Sequence, residues 1–307
     1  MEQSASPLRE ITADALFDEA FLGQLGALTL VARRIVSGNQ RGERKTMKTG
    51  TGIEFADHRP YTHGDDIRNV DWGALARLNQ VLVRQYEEDE DLPIHVVCDG
   101  SASMTTGAGE KYVQARRIVA ALAYIGLANL DRVGVAIASS SHYTSLAATR
   151  GRSQIFRVLD FLRDAPCGGG TDIASAARRL LAEAGRPGVS VFVSDFYDID
   201  GAATALGMLR HRKHQVVCIQ VLDRREFEPS RLALRGDVTL IDAESGARKM
   251  LTISEGLLRR FNAAHEQFCQ GLSLRCRSQG IPYFRVDIGD DLPELILRIL
   301  RSGGVLR

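Results

Sequence analysis

The feature that most constrains the fold of this 307-residue chain is a rhythm that begins at Leu92, where short β-branched runs alternate with segments of helical periodicity. The runs are almost continuously apolar, which is typical of strands buried on both faces of a parallel sheet. Strands that alternate with helices favour βαβ units with right-handed crossovers. The sequence therefore predicts an α/β fold with a doubly wound, mostly parallel, Rossmann-like sheet.

The elements of this rhythm can be placed along the chain. We predict central strands at Ile94–Cys98, Val133–Ala138, Val189–Ser194, Val216–Leu222 and Tyr283–Ile288, with an edge strand at His142–Ala148. Helices are predicted at Glu110–Leu130, Ser153–Arg163, Asp172–Ala184, Ala202–Lys213, Ser254–Ser278 and Leu292–Arg301. The stretch Arg224–Ile253 fits no helix of this rhythm, and its alternation at Val238–Ile241 predicts a small β excursion.

The first 91 residues lack this alternation of strands and helices, so we expect an N-terminal segment at 1–91 ahead of a domain at 92–307. This segment is expected to contain an amphipathic helix at Asp18–Val36, an irregular charged arm at Glu54–Trp72 and a strand at Gln80–Tyr86. A basic loop at 33–48 carries six cations against Glu43 alone. A solvated loop is the favoured interpretation. The alternatives are that the loop docks to a protein or binds phosphate.

Composition restricts the class of protein. Thirty-nine Lys and Arg against 38 Asp and Glu give a charge of +1, which argues against a dedicated nucleic-acid coat. The five scattered cysteines are typical of a reducing cytoplasm, with no metal-thiolate site. The longest apolar stretch, Ile118–Leu130, is shorter than the roughly 20 residues of a bilayer span, and the N-terminus lacks the order of a signal peptide. We expect a cytoplasmic protein without a membrane span.

Oxygen-bearing side chains lie at two predicted strand ends and just before one predicted helix. Asp99, Ser101 and Ser103 leave the first strand, Thr171 precedes a helix, and Asp195 follows another strand. Ligands of doubly wound sheets bind at this carboxyl edge, and hard cations such as Mg²⁺ or Mn²⁺ take oxygen ligands. The five residues therefore predict a divalent-metal site whose open position an Asp or Glu of a partner protein could fill.

Other interpretations of the same residues are weaker or remain open. Each could simply cap a helix. An aspartyl-phosphate enzyme would need a second Asp at the position of Ser101, and a nucleophile elbow would need Gly where Met104 stands after Ala102-Ser103. Neither Gly107–Lys111 nor Gly168–Thr171 matches the sequence of a Walker loop. A metal-assisted phosphoester hydrolase stays an alternative, although it lacks an evident general base.

Three short motifs resemble the metal-ion-dependent adhesion site of von Willebrand factor A-type domains. They are DGSASM at Asp99–Met104, GTD at Gly170–Asp172 and SDF at Ser194–Phe196. The resemblance covers about Leu92 to Arg307 and implies an A-type fold with metal ligands Asp99, Ser101, Ser103, Thr171 and Asp195.

The segment that precedes this region is similar to the bacterial domain-of-unknown-function family fifty-eight. The similarity rests on Gly52–Phe55, Arg59–Tyr61, Gly64–Arg68 and Asp71–Trp72. It implies a protein that works beside a MoxR-type AAA+ ATPase as an adaptor for a client. We therefore expect a non-enzymatic, metal-dependent protein-interaction protein in protein remodelling or maturation. Binding of nucleic acid by the basic loop is the weakest alternative.

Overall fold

The computed structural model describes residues 16–28, 49–50, 54–87, 93–106, 109–227 and 236–301. The chain divides into two compact units. One comprises Met1–Ser37 with Leu92–Arg307, and the other comprises Gly38–Asp91. The basic loop expected at 33–48 and the C-terminal part of the first predicted helix, 29–36, lie outside the described residues.

The strands and helices are labelled in chain order. The strands are β1 (Thr49–Gly50), β2 (Glu54–Pro60), β3 (Leu82–Glu87), β4 (Ile94–Asp99), β5 (Val133–Ala138), β6 (Tyr143–Thr149), β7 (Val189–Ser194), β8 (Gln215–Leu222), β9 (Gly236–Ile241), β10 (Arg248–Ile253) and β11 (Tyr283–Asp287). The helices are α1 (residues 19–28), α2 (Trp72–Leu78), α3 (Glu110–Ala128), α4 (Ile155–Arg163), α5 (Ile173–Glu183), α6 (Ile199–His211), α7 (Arg224–Phe227), α8 (Glu255–Ser278) and α9 (Leu292–Arg301).

Six strands form the central sheet of the larger unit in the order β11-β8-β7-β4-β5-β6. All neighbouring pairs are parallel except β5 with β6, which is antiparallel. The predicted α/β class and mostly parallel sheet are confirmed, and each of the six strands begins and ends within one residue of its prediction. For the inner strands β8, β7, β4 and β5 the agreement follows from burial, because strands covered on both faces are mostly apolar.

Helices cover both faces of this sheet. Alternate residues of a strand point to opposite faces, so Val96 and Val97 enter different cores. Val96 packs with Val135 and Val191 under α1, α3, α4 and α9. Val97 packs with Phe192 under α5, α6 and the C-terminal part of α8. The parallel strands therefore all deliver their carboxyl ends to one edge of a three-layer sandwich.

The smaller unit corrects one expectation. It contains an antiparallel sheet of order β1-β3-β2. The expectation of an irregular arm over Glu54–Trp72 is therefore wrong for Glu54–Pro60, which forms a strand paired with β3. The physical reason is that His58 of β2 and Arg84 of β3, which are register partners, are held by polar contacts to Asp71 that leave no apolar alternation in the sequence. Asp71 accepts from His58 Nε2 at 2.8 Å and lies 3.1 Å from a guanidinium nitrogen of Arg84.

Strands β9 and β10 form a separate antiparallel hairpin. It lies in the stretch Arg224–Ile253, where a β excursion was predicted, but the one-turn helix α7 there was not expected. Residues 228–235 lie outside the described part. Most residues of both hairpin strands are exposed to solvent. Across the described residues, no helix combines the length and apolarity that crossing a bilayer requires.

Candidate functional site

Two adjacent parallel strands bring the predicted acidic residues to one edge of the sheet. Strands β4 and β7 are hydrogen-bonded neighbours in register from Ile94 with Val189 to Cys98 with Val193. Asp99 is therefore next to Ser194, and Asp195 follows one residue later. Because parallel strands end at the same edge, the two aspartates lie side by side although they are far apart in sequence.

Four of the five predicted site residues are joined by hydrogen bonds. The Ser103 hydroxyl donates to Asp195 Oδ2 at 2.8 Å, and the hydroxyl oxygens of Ser101 and Ser103 are 3.0 Å apart. Asp99 Oδ1 accepts from the backbone N–H of Ser101 at 2.8 Å, and its Oδ2 accepts from the Ser194 hydroxyl. All four side chains are buried. We call Asp99, Ser101, Ser103 and Asp195 the oxygen cluster.

Thr171 lies in the loop that packs against the backbone of this cluster, but its own hydrogen bonds go elsewhere. The backbone N–H of Ala102 donates to the carbonyl of Gly169 at 2.8 Å, and that of Gly168 donates to the carbonyl of Gly100 at 2.8 Å. The Thr171 hydroxyl and backbone N–H instead donate to Glu244 Oε1, at 2.8 and 3.1 Å. Thr171 is thus near the cluster and engaged with the hairpin.

The turn after β5 holds the loop that carries Thr171. The backbone N–H of Ser140 donates to the carbonyl of Gly170 at 2.7 Å, and Gly170 N–H donates back to the Ser140 hydroxyl at 2.8 Å. The Ser141 hydroxyl donates to the carbonyl of Gly168 at 3.1 Å. Ser140 and Ser141, which are not among the predicted site residues, therefore fix the glycine-rich loop.

Helix capping does not account for Thr171 or Asp195. Asp172, one residue after Thr171, caps α5 by accepting from Ser175 N–H. Asp198, and not Asp195, caps α6, which is why this helix begins at Ile199 rather than at the predicted Ala202. Capping side chains accept from backbone N–H groups of the first turn. Thr171 and Asp195 therefore lie outside both caps.

Sequence reasoning missed two charged residues at the cluster. The Lys111 ammonium lies 3.0 Å from Asp195 Oδ2 and 2.8 Å from a carboxylate oxygen of Glu226. The Lys111 side chain is completely buried. Glu226 also accepts from the hydroxyls of Thr106 and Tyr197. One signal was readable: Lys111 falls four residues before Ala115 on the apolar stripe of α3, and a lysine on such a stripe needs a buried partner.

Burial governs the electrostatics of the site. Burial, with the nearby charge of Asp195 as the second cause, raises the pKa of Asp99 to about 7. Burial also raises the pKa of Asp195, against the opposing effects of Lys111 and Ser103. Burial alone would lower the pKa of Lys111, but the charges of Asp195 and Glu226 outweigh it and raise that pKa. Lys111 contacts the carboxylates of Asp195 and Glu226, so with Asp99 also ionised these four groups carry one positive and three negative charges.

The backbone at the strand ends has little freedom. Phe196, completely buried after Asp195, has a φ of 58°, a conformation rarely adopted by bulky residues and often found at functional sites. A Cβ on Gly100 would lie 2.7 Å from Ile137 Cγ2, which is too close for a real contact. The positions of Asp99, Ser101 and Asp195 are therefore fixed by backbone packing.

The donor set suits a hard divalent cation. Its side chains offer carboxylate and hydroxyl oxygens and no sulfur or nitrogen, and such oxygens are the ligands of Mg²⁺ and Mn²⁺. Adjacent ligands of an octahedral Mg²⁺ are about 2.9 Å apart, a spacing that the hydroxyl oxygens of Ser101 and Ser103 match. In the described ranges, no three His, Cys, Asp or Glu side chains form a metal-binding group, so any site here depends on the hydroxyls.

A family model now gives the chain its place among known proteins. The model described as "Protein of unknown function DUF58" matches residues 57–268. The chain belongs to the DUF58 family. The match spans both units and confirms the family resemblance expected from the motifs around Arg59–Tyr61 and Gly64–Arg68.

Relatives of this DUF58 chain occur in mycobacteria. It is 30% identical over 290 residues to uncharacterized proteins of Mycobacterium tuberculosis and Mycobacterium bovis, covering 93% of this chain and 90% of each relative. An aerotolerance-related membrane protein of Bacteroides fragilis is 15% identical with a TM-score of 0.41, covering 69% of this chain and 99% of that one. The manganese-loaded TRAP protein of Plasmodium vivax is 16% identical with a TM-score of 0.34, covering 43% and 57%.

Proposed function

We propose that this DUF58 protein is a metal-dependent adaptor that recognises other proteins through a metal-ion-dependent adhesion site of the von Willebrand factor A type. One observation carries the proposal. Two buried aspartates and two buried serines from separate parts of the chain meet at the carboxyl edge of adjacent parallel strands, at Asp99, Ser101, Ser103 and Asp195. Their charge is compensated only in part by Lys111.

The residues divide into two roles. The hydroxyls of Ser101, Ser103 and Thr171 would hold Mg²⁺ or Mn²⁺ directly, whereas Asp99 and Asp195 would accept hydrogen bonds from water and from the serines. A bound divalent ion supplies an electrophilic centre for an outside carboxylate. Lys111 opposes the rise in the pKa of Asp195 that burial causes and orients its carboxylate, because the ammonium contacts Asp195 Oδ2 at 3.0 Å. Backbone packing at Gly100 keeps the serines in place.

The proposal includes the partners of the protein and its location in the cell. A client protein would offer an Asp or Glu to the site, and a MoxR-type AAA+ ATPase would remodel or mature that client in the cytoplasm. We propose binding without catalysis, because the carboxylates of Asp99 and Asp195 are already engaged by hydrogen bonds from Ser101, Ser194 and Ser103. Turnover of p-nitrophenyl phosphate with Mg²⁺ or Mn²⁺ that disappears in Ser101→Ala would instead favour the phosphoester hydrolase.

Metal binding is tested with Mn²⁺ alone, followed by electron paramagnetic resonance of free Mn²⁺. We expect one Mn²⁺ per chain in the wild type and at least about a tenfold loss of affinity in the Ser101→Ala, Ser103→Ala double variant. Ser190→Ala is the matched control, since Ser190 is a buried serine of β7 that bonds His214 Nδ1 at 2.8 Å. Equal affinity in the double variant and the wild type would overturn the proposal.

Partner binding is tested by affinity purification from a bacterial extract, once with Mg²⁺ and once with chelator. We expect a MoxR-type ATPase or its client to copurify with the wild type in Mg²⁺ only, and not with the Ser101→Ala, Ser103→Ala variant. The Ser190→Ala control should behave as the wild type. Copurification that is unchanged by chelator would contradict a metal-bridged contact.

A further inference from the structure

The hairpin β9–β10 places a carboxylate of this chain beside a predicted metal ligand. Glu244 lies in the turn between the two strands, and its Oε1 accepts from both the hydroxyl and the backbone N–H of Thr171, at 2.8 and 3.1 Å. A Cβ on Gly170 would lie 3.1 Å from Glu244 Oε2. The carboxylate thus packs closely against the loop that borders the oxygen cluster.

The turn is built to present this side chain. Asp242 Oδ1 accepts from the backbone N–H of Glu244 and from the N–H and hydroxyl of Ser245, the latter two at 2.7 Å. Gly246 closes the turn with a φ of 69°, which a residue with a side chain rarely adopts. The Asp242 carboxylate is used inside the turn, so Glu244 is the turn residue that directs its carboxylate outward to Thr171.

The rest of the hairpin is mostly exposed to solvent. The strands pair with each other in register from Gly236 with Ile253 to Ile241 with Arg248, and most of their residues are exposed. A two-stranded hairpin alone is only marginally stable in water. Since the Glu244–Thr171 contact is itself exposed, it can be exchanged at low cost.

We propose that Glu244 is this chain's own carboxylate ligand for the divalent cation, and that a partner's carboxylate binds by displacing it. The inference rests on the proposed function and deepens it. The Thr171 hydroxyl oxygen and Glu244 Oε1 are 2.8 Å apart, close to the roughly 2.9 Å between adjacent ligands of an octahedral Mg²⁺. An acidic partner therefore exchanges one carboxylate for another, and the affinity it gains is the difference between the two.

The test measures Mn²⁺ affinity and the number of water molecules on bound Mn²⁺, by water-proton relaxation, in the wild type and in Glu244→Gln. We expect Glu244→Gln to bind Mn²⁺ at least about tenfold more weakly and to hold one additional water. Acetate, a carboxylate probe, should then remove that water from Glu244→Gln and leave the count in the wild type unchanged. Glu255→Gln is the control, because Glu255 is an exposed carboxylate whose ion pair is with Arg259.

Two outcomes separate failure of this inference from failure of the proposed function. If Glu244→Gln and the wild type have the same Mn²⁺ affinity and hydration while Ser101→Ala, Ser103→Ala loses the metal, the role of Glu244 is wrong and the site stands. If the wild type binds Mn²⁺ no better than the serine variant, both are wrong. Glu244 is exposed, so the Gln substitution leaves folding intact.

Discussion

Replacing Lys111 by Met tests how the oxygen cluster is held together. The side chains of Lys111 and Asp195 are both completely buried, with the ammonium 3.0 Å from the carboxylate. Removing one partner of a buried pair costs about 3 to 5 kcal/mol, because the other charge is left uncompensated. Asp195 would retain only the hydroxyl of Ser103 on Oδ2, whereas Glu226, 23% exposed, can turn to water.

The measurement is urea unfolding followed by far-ultraviolet circular dichroism, in chelator. Fluorescence is unsuitable because the only tryptophan, Trp72, belongs to the other unit. We expect Lys111→Met to lose about 3 to 5 kcal/mol, or roughly 6 to 20 °C in Tm. Lys249→Met, the same change at an exposed hairpin position, should stay within about 0.5 kcal/mol.

A double variant separates lost charge compensation from lost packing. Adding Asp195→Asn to Lys111→Met removes the buried charge that the single variant strands, so the double variant should be more stable than Lys111→Met alone. Under the proposed function, saturating Mn²⁺ should also reduce the loss in the single variant. A loss below about 1 kcal/mol for Lys111→Met, with no rescue by Asp195→Asn, would refute the argument that this pair is a buried charge pair.

Two further predictions concern a buried histidine and two glycines. Burial, with nearby His214 as the second cause, lowers the pKa of His95 from 6.5 to about 4. A base with a lowered pKa in the folded state resists protonation, so the contribution of His95 to the free energy of unfolding is full above pH 6.5. This contribution falls by about 3 kcal/mol as the pH drops from about 6.5 to about 4. The free energy of unfolding should therefore depend less on pH in His95→Leu, and an unchanged pH dependence would contradict this. Gly100→Ala should cost about 1 to 3 kcal/mol in urea unfolding because its Cβ meets Ile137. A Cβ added to Gly207 in α6 would meet nothing within 4 Å beyond its own helix backbone and chain neighbours, so Gly207→Ala should gain up to about 1 kcal/mol.

The central sheet could be predicted from the sequence because burial on two faces leaves a one-dimensional trace. Val133–Ala138 has no polar side chain and is buried throughout. The strand Glu54–Pro60 leaves no such trace, since Asp57, His58 and Arg59 interrupt any alternation. Its partner β3 lies more than twenty residues further along the chain, and pairing at that distance has no local signal.

The candidate site likewise contains residues that the sequence pattern predicts and residues that it does not. Asp99, Ser101 and Ser103 were readable because they follow a strand directly, and the position of Asp195 followed from the rule that parallel strands end at one edge. Glu226 and Glu244 were not readable. Each comes from a region without periodicity and meets its partner through tertiary contacts, Glu226 with Lys111 and Glu244 with Thr171.

The site has a fixed half and an exchangeable half. The oxygen cluster is buried and tied by Lys111 to α3, so it cannot rearrange without exposing charge or breaking core packing. The Thr171–Glu244 contact is exposed, and its carboxylate is carried by a hairpin with little packing of its own. On the proposed function, a partner's carboxylate therefore approaches from the Thr171 side, where only a solvent-exposed contact has to be replaced, and the buried serines stay in place throughout.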